Sequence, residues 1–263
     1  MTAYPAFASL LIIFLAAGAA GAVNAIAGGG TLITFPTLLA VGMDSKVANM
    51  TSTVGLWPGS LGGAWGFRRE LAKSSKEARA FYVTSLLGGA LGSWLLLVTD
   101  TKTFDALVPW LILTATLLFM AQEPISRWLN ARRTAMAIGG ATATRWLLIL
   151  PFQFLVGVYG GYFGAGIGIL MLAALGFLGI EDIYQRNGIK NVAAMFINGI
   201  SIVFFISAGQ VDWPVAITMA VGALLGGYFC TGWAKRIGPI WARRVVVAVG
   251  LLAAAWKLID FGS

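Results

Sequence analysis

The chain says nearly the same thing twice, and in the vocabulary of a membrane. Residues 21–63 read GAVNAIAGGGTLITFPTLLAVGMDSKVANMTSTVGLWPGSLGG, and residues 157–201 read GVYGGYFGAGIGILMLAALGFLGIEDIYQRNGIKNVAAMFINGIS. Each copy runs from a helical approach through a glycine cluster into a short apolar segment. Each then crosses a small acidic loop and enters a segment that opens on an asparagine. Around the two motifs, apolar segments of helix length cover 6–27, 80–98, 106–122, 146–163, 192–208, 214–234 and 245–259, with a Gly-, Ser- and Thr-rich one at 47–67. Spanning a bilayer takes about 20 residues. Two stretches, 31–43 and 167–180, fall clearly short of that. They read as half-helices or returning arms of re-entrant hairpins, whose broken backbone must be buried in protein rather than exposed to lipid. The expected fold is all-α: a polytopic integral membrane protein with eight spans and two short segments. It forms one transmembrane domain over 1–263, with repeat one at approximately 6–122 and repeat two at approximately 146–259.

Composition narrows the function classes. The 263 residues are 59% hydrophobic and 11% charged, against roughly 25% charged in a soluble domain. Little room is left for a soluble domain. A single cysteine, Cys230, excludes an internal disulfide framework, and the chain has no histidine. The commonest metal ligand and the commonest general base are therefore missing. With no nucleophile–base pair in view, an enzyme is not expected, nor is a metal or cofactor. GAGIG at 164–168 is not a dinucleotide fingerprint, because it lacks the preceding strand and the third-glycine spacing. The first 28 residues resemble a signal peptide only superficially: no basic region precedes them, and Asn24 and the Gly28–Gly29–Gly30 run belong to the repeat.

The net charge is +8, and 15 of the 18 Lys and Arg fall in four clusters, at 68–79, 127–145, 186–190 and 235–244. Such basicity reads as a topology signal and a contact with anionic lipid rather than a nucleic-acid surface. By the positive-inside rule the four clusters face the cytoplasm. The loops 99–105 and 209–213 and both termini are then expected outside. The segment beginning at Asn49 runs outside to inside, and the one beginning at Asn187 runs inside to outside. Each half has five elements, and an odd number inverts a tandem repeat. An inverted pair can expose one site to either side in turn, and glycine-interrupted short segments at matching places point to where that site lies.

All ten acidic residues fall in loops or at segment ends, whereas intramembrane cation sites usually need carboxylates. The interior instead offers neutral hydrogen-bonding groups: Asn24, Asn49, Thr51, Ser52, Thr53, Asn191, Asn198 and Ser201, with Lys190 as the cation. Backbone N–H groups at the glycine breaks add donors. Helix N-termini and donor side chains favour a small anion. The same Asn, Ser and Thr side chains also serve as hydrogen-bonding glue between transmembrane helices, and scattered glycines such as Gly88, Gly89 and Gly92 read as close packing. An offset of 138 residues pairs Asp44 with Asp182, Asn49 with Asn187, Ser52 with Lys190 and Thr53 with Asn191. Asn187 and Asn191 are spaced to share a helix face. Lys190 either points inward to an anion or snorkels to the cytoplasmic surface. Pro36 and Pro58 are placed to kink helices beside the site.

GGGTLITFPTLLAVG, VANMTSTVGLWPGSLGGAWGFRREL and YFGAGIGILML…EDIYQRNGIKN together resemble the TauE/SafE sulfite exporter family over nearly the whole chain. The resemblance implies a bacterial inner-membrane permease of two homologous halves that exports sulfite or small organosulfur anions such as sulfoacetate. Carried onto this chain, its glycine and asparagine motifs fall on Gly28, Gly29, Gly30, Asn49, Gly164, Gly166 and Asn191. Ser52 stands where the family pattern suggests asparagine, which is a departure. The expected substrate-binding set is Asn24, Gly28, Gly29, Gly30, Asn49, Ser52, Thr53, Gly164, Gly166, Asn187, Lys190, Asn191 and Asn198. No ATP-binding motif is present, so an ion gradient, the membrane potential or the substrate gradient must drive transport. A passive anion channel and a non-transporting scaffold are the competing readings, and self-association into a homodimer stays open.

Overall fold

Runs of Leu, Ile, Ala, Val and Phe interrupted by Gly-rich breaks can satisfy their backbone in an apolar solvent only as helices, and the described residues form ten. The computed structural model describes residues 7–26, 29–66, 77–131, 142–180, 182–237 and 239–262. In chain order the helices are α1 Phe7–Ile26, α2 Thr31–Ala40, α3 Ser45–Gly66, α4 Glu77–Val98 and α5 Thr101–Ala131. They continue as α6 Thr142–Tyr162, α7 Ile167–Phe177, α8 Ile183–Ser207, α9 Trp213–Ile237 and α10 Pro239–Gly262. Among the described residues there is no strand. Gly28 and most of the basic clusters at 68–79, 127–145 and 235–244 lie outside the described residues or side chains.

Four helices carry stretches long and apolar enough to cross a bilayer: Phe7–Asn24, Ala78–Val98, Thr101–Ala121 and Tyr184–Ser207. The apolar stretches in α6, α9 and α10 are shorter, at Trp146–Tyr162, Trp213–Gly227 and Val246–Lys257. α3 is long enough but diluted by Gly, Ser and Thr. α5 continues well past the apolar window of 106–122, because hydropathy marks lipid contact rather than helix length. α2 and α7 have 10 and 11 residues, so each is about 15 Å long, half the thickness of a bilayer core.

The acidic residues at segment ends act as helix caps. Asp44 Oδ1 accepts the N–H groups of Lys46 and Val47 at the start of α3, and Asp182 Oδ1 accepts that of Tyr184 at the start of α8. Asp100 and Asp212 cap α5 and α9 in the same way. The Thr103 hydroxyl and N–H both donate to Asp100, which holds that carboxyl below the usual range.

α1 packs along α9 and α4 along α6, while α3 and α8 cross at the centre and α5 lies against α10. α2 sits against α1, α3 and α10; α7 sits against α6, α8 and α5. These pairings map onto themselves when each of the first five helices is exchanged with its counterpart in the last five. Glycines set the two tightest contacts. A Cβ on Gly226 would strike the Gly18 carbonyl between α9 and α1, and one on Gly92 would strike the Val158 carbonyl between α4 and α6. Gly88 and Gly89 lie in the same kind of contact, so close packing accounts for the scattered glycines. Large apolar side chains such as Leu15, Leu147, Leu148, Val203, Leu252 and Ile259 face outward, while Ser, Thr, Asn and Gln lie buried between helices. This is a surface suited to lipid.

Candidate functional site

The two broken segments meet at the centre of the molecule. Phe35 of α2 and Phe163, just ahead of α7, stack edge to face with ring centroids 5.2 Å apart. Beside them opens a cavity of about 70 Å³, room for several waters or one small ion. Its walls come from four places: the end of α1 with the start of α2, one face of α3, the break between α6 and α7, and one face of α8.

The α3 and α8 faces correspond. On α3 the wall is Thr53, Leu56, Gly59 and Ser60; on α8 it is Lys190, Asn191, Ala194 and Asn198. The 138-residue offset pairs Thr53 with Asn191, Leu56 with Ala194 and Ser60 with Asn198, so both members of three pairs line the same cavity. Gly59, whose counterpart Ile197 does not line the cavity, is one exception, and the other is Lys190. Its counterpart Ser52 is fully buried and bonds Thr34 Oγ1 at 2.7 Å, away from the cavity.

The two breaks differ in what they offer. Asn24 Oδ1, reaching back from the last turns of α1, accepts the N–H groups of Gly29 at 2.9 Å and Gly30 at 2.8 Å. The chain comes so close there that a Cβ on Gly30 would lie 2.6 Å from the Ala20 carbonyl oxygen. The sequence suggests that both breaks aim donors at a ligand, but in the first break Asn24 consumes them. The second break is open. Gly166 takes the left-handed conformation, φ +79°, at the start of α7, and among the described residues no side chain accepts from the first N–H groups of that helix. The first N–H groups of a helix have no intrahelical partner, and Gly166, Ile167 and Gly168 all line the cavity.

Lys190 resolves inward. It is 2% exposed and lines the cavity, and among the described residues its Nζ has no hydrogen-bond partner. The described residues of the cavity wall include no Asp or Glu. The other buried cations are engaged elsewhere. Lys46 Nζ donates to the carbonyls of Leu97 and Thr99 at the end of α4, and Arg186 Nε donates to that of Ile180. Among the described residues, the cavity thus gathers a buried ammonium, an open helix start and neutral amides, a set dominated by hydrogen-bond donors.

Of the residues named from sequence, Asn24, Gly29, Thr53, Gly164, Gly166, Lys190, Asn191 and Asn198 line the cavity. Gly30, Asn49, Ser52 and Asn187 do not, and Gly28 lies outside the described residues. Asn49 is buried with its Nδ2 donating to the Tyr162 carbonyl at 2.9 Å. It ties α3 to the end of α6. Ser201 is likewise structural, accepting from Ser93 Oγ at 2.7 Å, and Thr51 Oγ1 accepts the Asp212 N–H. The Asn/Ser/Thr set therefore divides between glue and wall. Thr31, Ser60 and Phe163 complete the wall; continuing the 138-residue offset from Asn198 would have found Ser60.

The chain shares 30% identity with a "Probable membrane transporter protein" of Haemophilus influenzae over 96% of both chains. It is 27% identical to the "Probable membrane transporter protein ORF9" of Sinorhizobium sp over 97% of this chain and 94% of the other. It is 24% identical to the "Probable membrane transporter protein YfcA" of Escherichia coli K12 over 95% of this chain and 89% of the other. No solved structure matches it. The model of one family, described as sulfite exporter TauE/SafE, matches residues 13–256, and with nearly the whole chain covered, this protein belongs to that family.

Proposed function

We propose that the protein is a multi-pass transporter of the bacterial inner membrane that exports a small oxyanion, sulfite or a small organosulfur anion, by alternating access. The observation that carries this reading is Lys190 Nζ, buried without a partner in a cavity free of carboxylates among the described residues. An unpaired buried ammonium is costly, and an anion arriving from water relieves that cost. The open start of α7 and the amides of Asn191 and Asn198 supply further donors. The family and the names of the relatives support membrane transport. The exchange symmetry of the helix pairings supports an inverted repeat, with two halves rocking about the shared cavity. In this reading both termini face outward, and the membrane potential, worth about 2.3 kcal/mol per charge per 100 mV, assists the exit of an anion.

The test is sulfite efflux from proteoliposomes. Wild type should show saturable efflux and counterflow, and Lys190→Gln and Asn191→Ala should lose at least tenfold at matched folded protein. Asn49→Ala should lower the melting temperature, because it unties α3 from α6. Flux strictly proportional to gradient, without counterflow, would make the protein a channel. Saturable flux untouched by both cavity substitutions would move the site elsewhere.

A further inference from the structure

The charge balance of the cavity says more than that an anion binds. Resting on the anion-carrier reading, we infer that the site selects singly charged oxyanions over doubly charged ones, and that Lys190 is the residue that sets this preference. The first half contributes no charge to the wall: Asn24, Thr53 and Ser60 are neutral, and the oxygen of Asn24 is committed to Gly29 and Gly30. The second half contributes one, on Lys190. Arg186, one turn earlier on α8, does not line the cavity and gives its Nε to Ile180. Lys46 is bound at the end of α4. Asp44 and Asp182, the acidic groups nearest in sequence to the two walls, cap the starts of α3 and α8.

A monoanion therefore meets one fixed positive charge, and the loaded cavity is neutral. A dianion leaves one negative charge in a small cavity whose described lining holds no second cation to answer it, and burying an uncompensated charge is strongly unfavourable. The distinction bears on transport as well as binding. A carrier must close over its substrate, and a neutral loaded cavity closes into a low-dielectric interior at less cost than a charged one. Among organosulfur anions this favours monosulfonates and hydrogensulfite over species carrying both a sulfonate and a carboxylate. Leu56, Ala194 and Ile167 give the wall apolar surface for a short carbon substituent.

The probes are methanesulfonate and sulfate. Both are compact and tetrahedral at sulfur, with charges of −1 and −2 at neutral pH. Affinity is read by thermal-shift and calorimetric titration of the purified full-length protein in nanodiscs at constant ionic strength. Wild type should bind methanesulfonate at least tenfold more tightly than sulfate. Lys190→Gln should weaken methanesulfonate at least tenfold and collapse the preference to within about threefold, whereas Lys190→Arg should keep it. A preference that survives intact in Lys190→Gln would assign it to the methyl group and overturn the charge argument. So would sulfate binding as tightly as methanesulfonate in wild type, although the anion-carrier reading would then stand. Binding of neither probe, together with no sulfite flux, would remove that reading and this inference with it. Melting of each variant without anion identifies any that fails to fold, and Lys190→Arg then carries the test alone: it must retain the wild-type preference or the inference falls.

Discussion

Asn24→Asp separates the fold from the electrostatics of the cavity. The substitution keeps the shape of the side chain and its acceptor oxygen, so the bonds from Gly29 and Gly30 at 2.9 and 2.8 Å survive. A carboxylate at the start of α2 also suits the helix dipole, by about 0.3–1 kcal/mol. Fold stability should therefore hold or rise. The cavity responds in the opposite sense. Asn24 and Lys190 line the same space of about 70 Å³, so a new carboxylate and a bound anion would be close neighbours; a separation of roughly 6–8 Å is taken for the electrostatics. At an effective dielectric near 20, their repulsion is about 2–3 kcal/mol, a loss of about 30- to 100-fold in affinity. Partial neutralisation of Lys190 by the same carboxylate adds to that loss. The assay is calorimetric titration with methanesulfonate beside the melting temperature of the empty protein. Unchanged or tighter anion binding, with the melting temperature preserved, would refute the claim that this cavity is an anion site.

Three other substitutions probe the elements that hold the site. Lys190→Met removes an unpartnered buried polar group, so the empty protein should gain about 1–3 kcal/mol. A fall in the melting temperature of empty protein would show instead that the ammonium is satisfied. Gly226→Ala places a methyl group against the Gly18 carbonyl, so α1 and α9 must separate at a cost of about 1–3 kcal/mol. Gly199→Ala, whose nearest neighbour is Trp57 at 3.6 Å, should be neutral or stabilising by up to about 1 kcal/mol through helix propensity, and equal melting shifts for the two would contradict the packing argument. Gly166→Ala has space, with the Ala115 carbonyl oxygen 3.5 Å away, but φ is +79°. It should cost about 1–2 kcal/mol and weaken anion binding as the start of α7 shifts. Normal affinity in this variant would mean that those N–H groups are not used.

Much of this was legible in the sequence, and the rest failed for identifiable reasons. Three adjacent glycines and the GAGIG run announce broken helices, and the half-length α2 and α7 follow them directly. Of the acidic residues read as segment ends, Asp44 and Asp182 end as helix caps, whereas Asp105 falls within the apolar stretch Thr101–Ala121 of α5. What composition cannot separate is a structural amide from a liganding one. Asn24, Asn49 and Asn191 are chemically identical, yet one closes a helix start, one ties α3 to α6 and one lines the cavity. That division depends on which neighbouring backbone groups remain unpaired, which is a property of the assembled fold. Helical phase posed a similar difficulty. α3 and α8 are buried on several faces, so their hydrophobic pattern does not pick out the side bearing Thr53 and Ser60 or Asn191 and Asn198.

In the proposed reading, the duplication explains why a site forms here, and its imperfections explain what kind of site it is. Two copies of one motif bring two helix breaks to one centre, with matched walls on α3 and α8. A perfect repeat would make both breaks alike. Two differences at matched positions decide otherwise. Where the first half has Asn24, the second has Tyr162, whose carbonyl is bonded to Asn49 and whose hydroxyl lies 3.4 Å from Thr99 Oγ1, so α7 is left uncapped. Where the first half has Ser52, hydrogen-bonded to Thr34, the second has Lys190, facing the cavity. Either change alone would yield little: open donors without a charge, or a charge facing a sealed helix start. Both fall in the second half, and in this reading together they give a symmetric scaffold one positive, anion-attracting pole.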